Sequence, residues 1–138
     1  MSNEEKLKEA FLTLLSANAY IAANNVTGII AWDASHDKEL DQFAVDLDGY
    51  KNSIPGTPFI TATVVITAGT VAKQDKDRSK IKAIYEALKN QLKLISKVDL
   101  SAVSGLTIDA IHSYSGGDAN IQNDMHIDAI QCVVELTE

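Results

Sequence analysis

The spacing of apolar residues changes repeatedly along this chain, and each change predicts an element. In "NEEKLKEAFLTLLSANAYIAA" (3–23), Leu7, Ala10, Phe11, Leu14 and Leu15 fall at the three-and-four spacing of one helical face. Asn3 is placed to cap this helix, and Glu4 and Glu5 sit in its first turn, where the helix dipole favours acids. The segment is expected to end near "NNVTG", where Asn24 and Asn25 can turn the chain. "TGIIAWD" (27–33) is short, β-branched and aromatic, and predicts a strand. A long acidic connection follows, "ASHDKELDQFAVDLDGYKNSIPGTP". Within it Phe43, Val45 and Leu47 alternate as in a short edge strand, while Leu40, Phe43 and Leu47 equally suit a helical turn.

"FITATVVITAG" (59–69) is the clearest strand, with Ile60, Ala62, Val64 and Ile66 on one face and Thr61, Thr63 and Thr67 on the other. A helix is predicted from Asp75 to Lys97, burying Ile81, Ile84, Tyr85, Leu88, Leu92 and Ile95 and leaving Lys80, Lys82, Lys89 and Lys93 in water. After the connector "VDLSAVS" and Gly105 come two strands, "LTIDAIHSY" (106–114) and "DMHIDAIQCVVELT" (124–137), joined by a glycine-bearing polar turn. The expected fold is a single α+β domain over residues 1–138. It has an antiparallel-rich, mixed sheet of about four strands, two helices packed on one face and a long C-terminal hairpin.

Composition narrows the classes. The chain is 46% hydrophobic and 22% charged, the balance of a globular protein. Its net charge of −7 argues against nonspecific nucleic-acid binding, which needs Lys and Arg to displace phosphate counterions. Cys132 is the single cysteine, which excludes an intrachain disulfide and a multi-cysteine zinc site. "MSNEEKLKEA" has no apolar signal core, and no apolar run approaches membrane-spanning length. A soluble protein, made and kept in a reducing compartment, is the expectation.

"SYSGGDANIQNDMHID" (113–128) is the stretch with most candidate chemistry. Asp118, Asn120 and Gln122 have the alternate spacing of an EF-hand loop, but Asn123 and Ala129 stand where that loop needs its glycine and its bidentate Glu. "SGGD" has the flexible backbone of a phosphate loop but is followed by a strand, without a Lys. A hairpin symmetric about Ala119 sets His112 opposite His126, with Asp128 on the same face, a partial zinc set. A solvated cross-strand pair is favoured there, because a third fixed ligand is missing. "DASHD" (33–37) reads as a polar loop, and Cys132, alternating with Ile130, Val134 and Leu136, as a small core residue.

That same register places Leu106, Ile108, Ile130, Cys132, Val134 and Leu136 on one face, but Ile111, Met125 and Ile127 on the other. Either a β-bulge shifts the phase, or the hairpin tip projects onto a neighbour.

The order of elements, from "EEKLKEAFLTLL" through "PFITATVVITAGT" and "DKDRSKIKAIYEALKNQL" to "LSAVSGLTIDAIHSYSGGDANIQNDMHIDAIQCVVELTE", resembles that of bacteriophage tail terminator and tail-completion (head–tail joining) proteins. The acidic connection 33–50 fits that pattern least. The resemblance implies a virion protein of the tail and neck, assembled in the bacterial cytoplasm, with no active site and no cofactor. It implies a homo-oligomeric ring, a hexamer in such families, whose partners are its own copies, the tail tube protein and the head–tail connector. No membrane is involved, and DNA only passes through the lumen. The hairpin tip (Ile111, Asp118, Asn120, Met125, Ile127) and the acidic connection (Phe43, Tyr50) are then the interaction surfaces. Two other readings remain open: a small cytosolic α+β binding or regulatory module, and an enzyme or metal protein using His112, His126 and Asp128, or His36 with Asp33 and Asp37.

Overall fold

The computed structural model describes residues 1–32, 40–115, 120–122 and 124–138. Two long strands form its centre: β3 (Phe59–Val71) and β6 (Met125–Thr137) pair antiparallel through thirteen consecutive residue pairs, without a bulge. On the other side of β3 lies β2 (Gln42–Asn52), also antiparallel, and outside it β1 (Thr27–Ile30), parallel to β2. The free side of β6 takes β4 (Thr107–Ser115) along one half and the short β5 (Asn120–Gln122) at the other end. The fold is therefore α+β with a mixed, mainly antiparallel sheet, ordered β1-β2-β3-β6-β4, with β5 paired to β6.

The acidic connection yields the largest departure in the sheet. Its alternating residues belong to an eleven-residue strand, β2, which has neighbours on both sides and is not an edge. A bulge between Leu47 and Gly49 breaks the alternation, so Phe43, Val45 and Leu47 face the helices and, after the shift, so does Tyr50.

Helices cover one face of the sheet. α1 (Asn3–Ser16) is capped by Ser2 rather than Asn3; the Ser2 hydroxyl accepts the Glu5 N–H at 3.1 Å. The predicted single N-terminal helix is two. Asn18 opens α2 (Ala19–Ala23) by accepting the Tyr20 and Ile21 N–H groups. Its amide nitrogen also donates to Gln91 Oε1 at 3.2 Å, and Gln91 Nε2 donates to the Leu14 carbonyl at 3.1 Å, so an otherwise orphan carbonyl at the end of α1 is satisfied from α3. α3 (Ser79–Leu94) is shorter than expected at both ends. The predicted connector "VDLSAVS" lies in a further helix, α4 (Lys97–Ser104), capped by Ser96 and ended by Gly105 at φ 74°, a left-handed turn suited to glycine.

The core lies between helices and sheet: Leu7, Phe11 and Leu15 of α1, Ile81, Ile84 and Leu88 of α3, and Leu100 of α4 meet the even-numbered residues of β3 and β6. Phe43 is fully buried within it.

The opposite face is covered at one end by Trp32. The chain leaves β1 through Ala31, whose φ of 67° turns it over the sheet. The Ala31 N–H donates to the Val45 carbonyl at 3.1 Å and the Trp32 N–H to Asp46 Oδ2 at 2.9 Å. The indole then rests on Gly69 so closely that a Cβ there would lie 2.4 Å from its Cη2 and 3.2 Å from Met125 Cε. Only glycine leaves room for this cover.

Gly69→Ala should therefore lift the indole, destabilising the fold by about 1–3 kcal/mol and moving the emission of Trp32, the single tryptophan, to the red. Denaturant titration followed by fluorescence checks this; unchanged emission and midpoint would mean that Trp32 does not rest on Gly69.

Candidate functional site

The anticipated apolar hairpin tip is not an exposed surface. Its two halves resolve differently. In β4 a bulge between Ile108 and Ala110 restores the phase, so Ile111, opposite Val134, faces the helices and packs against the core. In β6 no bulge occurs, and Met125 and Ile127 do lie on the other face, but both are buried and the chain's own Trp32 rests beside Met125. Gln42 Nε2 also approaches Met125 Sδ at 3.9 Å. Phe43, fully buried, is likewise core and not interface. Tyr50 is half-buried beside α1, and its hydroxyl donates to Glu138. Burial and that carboxylate hold the phenol above its ordinary pKa. Asp118, Asn123 and "DASHD" lie outside the described residues; Asn120 opens β5.

The real register also separates the two histidines. His112 pairs with Val133, and His126 pairs with Thr70 and Ile121. Their levels are seven residues apart along β6, roughly 23 Å at the rise of a strand, so they do not share a metal ion. Among the described residues no group of three potential ligands comes together, and no helix is long and apolar enough to cross a membrane.

His126 instead belongs to a buried polar cluster on the helix side. Its Nε2 donates to the Asp75 carbonyl at 2.9 Å. The Asp75 carboxylate accepts the Lys80 N–H at 2.9 Å on one oxygen, and the Ile81 N–H at 2.9 Å and the Thr70 hydroxyl at 2.8 Å on the other. A buried carboxylate thus caps α3 and ties it to β3. Lys80 in turn reaches Asp41 at 2.7 Å, and this bond raises its pKa above the ordinary lysine value. The arrangement is structural: both carboxylate oxygens of Asp75 serve the backbone or Thr70, and its carbonyl serves His126. Cys132 is fully buried, and desolvation pushes its thiol up to about 12, which makes it inert.

What remains exposed is the sheet itself. Among the described residues no helix lies on the face that carries Thr61, Thr63, Val65 and Val133, and no strand pairs with the outer side of β1 or β4. Beside β1, a groove of about 360 Å³ runs between exposed Ile30 and Glu5, Lys8 and Glu9 of α1.

At the β2–β3 turn a second cavity, of about 260 Å³, is lined by Ser53, Ile54, Phe59, Asp109 and Glu135 among others. Ile54 is 57% and Phe59 46% exposed, although both are large and apolar. The β4 bulge turns Asp109 outward, where it accepts the Thr137 hydroxyl at 2.6 Å; Glu135 lies 3.6 Å from His112. This acid-edged apolar cleft escaped the sequence reading, yet one signal was available. Phe59 is the large apolar residue in phase with Thr61, Thr63 and Thr67, the polar side of the clearest strand.

These features define an α+β domain whose helices cover one sheet face and whose other face, with both outer edges, has no helix or strand neighbour among the described residues. Compared with known proteins, the chain matches no family model and no curated protein.

Asp75→Ala should cost about 3 kcal/mol, far more than Asp77→Ala, since Asp77 is exposed and accepts the Ser79 N–H at the surface; thermal unfolding of both variants checks which carboxylate caps α3. Cys132 should resist alkylation at pH 8 in the native state and react at once in denaturant, as read by mass spectrometry. Rapid native labelling would contradict its burial.

Proposed function

We propose that this chain is a structural virion protein of the tail-terminator kind. Its copies form a ring, hexameric by that resemblance, which caps the tail tube and joins it to the head connector in the neck of the particle. DNA passes only through the lumen. The observation that carries the reading is the one-sided sheet whose two outer edges are unpaired among the described residues. A domain so built can add neighbours on both sides, and ring closure removes the free edges that would otherwise continue to pair. The order of elements supports the same reading. So does the net charge of −7, which suits a channel that DNA traverses without being gripped.

The work of such a protein is interface complementarity, and no bond is made or broken. Its edges and exposed face must match its own copies, while the ends of the ring match the tube and the connector.

Mixing the purified protein with tail tubes should give rings on tube ends in negative-stain electron micrographs and should stop further tube growth. Tubes that remain bare and continue to elongate would overturn the reading.

A further inference from the structure

Two exposed patches of opposite charge occupy the same end of the domain, on opposite sides of the sheet. One is the cleft around Ile54 and Phe59, edged by Asp109 and Glu135. Phe59 pairs with Thr137 and alternates with buried Ile60, so it belongs to the face away from the helices. The other is the corner where α3 passes into α4, in the helix layer. There Leu94 is 72% and Val98 69% exposed, flanked by Lys93 and Lys97, which are exposed as well. Residues 89–103 carry three lysines and one acid, Asp99, in a chain whose net charge is −7.

We infer that the α3–α4 corner of one copy docks into the Ile54–Phe59 cleft of the next copy. Leu94 and Val98 cover Ile54 and Phe59, while Lys93 and Lys97 meet Asp109 and Glu135. Charge selects this pairing. Cleft against cleft brings carboxylates together, and corner against corner brings ammonium groups together, so neither patch suits a two-fold contact with itself. Corner against cleft matches both the apolar and the charged parts. The contact is heterologous: each copy offers its helix side to one neighbour and its sheet side to another, and repetition closes a ring or runs on as a filament. The inference rests on the ring reading for its closure and names the surface that would build the ring.

Two variants test it. Lys93→Glu with Lys97→Glu makes corner and cleft both acidic; Asp109→Lys with Glu135→Lys makes both basic. All four residues are exposed, so circular dichroism should match the wild type. Glu135→Lys alone, which keeps the Asp109–Thr137 hydrogen bond, repeats the test if the double variant fails to fold. Assembly is read by sedimentation velocity in solution and by microscopy on tube ends. The expected result is that each variant alone needs a roughly tenfold or higher concentration to assemble, while an equimolar mixture assembles like the wild type, because each acidic corner then meets a basic cleft and each basic corner an acidic one. Variants that assemble alone as the wild type does, or a mixture that does not recover, would overturn this interface and leave the ring reading standing. A wild type that stays monomeric in solution and leaves tube ends bare would overturn both.

Discussion

The unbroken ladder between β3 and β6 is the constraint on which the rest of the molecule depends. Thirteen consecutive pairs without a bulge fix which face every side chain of both strands must take. Along most of that length the even positions meet the helices. At the Val71–Met125 end the chemistry inverts while the geometry does not. There Thr70 and His126 point to the helix side, and Gly69, Met125 and Ile127 to the other. Both environments must then be built around a fixed register. Asp75 builds one of them, satisfying Thr70 and the first turn of α3 with the same carboxylate. Trp32 builds the other, resting on Gly69 beside Met125. A one-residue slip would put the histidine under the indole and the methionine against the buried carboxylate, so polar and apolar cover reinforce one register.

How much of this was legible in the sequence depended on whether one element or several decided a residue's place. The stripe of α3, the alternation of β3, the core role of Cys132 and the α+β class follow from local periodicity, and the structure agrees with them. β2 was obscured because its bulge moves Tyr50 out of step with Phe43, Val45 and Leu47, leaving two half-patterns too short to separate. α4 was obscured by its eight-residue length, too short for its apolar spacing to stand out, and its caps, Ser96 and Gly105, are identified only by the structure. The hairpin register was the costliest loss. A symmetric turn was the simplest assumption, and the true pairing sets His112 against Val133 with β5 inserted beyond it.

The apolar phase switch was real in the sequence, but its cause was not readable there. One half was a bulge and the other a tryptophan arriving from nearly a hundred residues earlier in the chain. No local pattern connects Trp32 to Met125. The surface signal was weaker but more useful: an apolar residue in phase with threonines, Phe59, marks a face that local structure alone does not cover.

A one-sided sheet is compatible with copies meeting face to face or head to tail, and in the proposed assembly charge decides between these. Burying an exposed phenylalanine and isoleucine favours any association that covers them, the two-fold contact included. Asp109 and Glu135 at the edge of that cleft make the two-fold contact repulsive without weakening a contact that brings lysines. Lys93 and Lys97 do the same for the corner. In the proposed assembly the polarity would therefore come from the residues around the apolar patches, and the patches themselves would supply only the tendency to associate. With the two patches on opposite sides of one sheet, every copy added in the proposed assembly would present the surface that the next copy requires, and growth would stop only when the last cleft met the first corner.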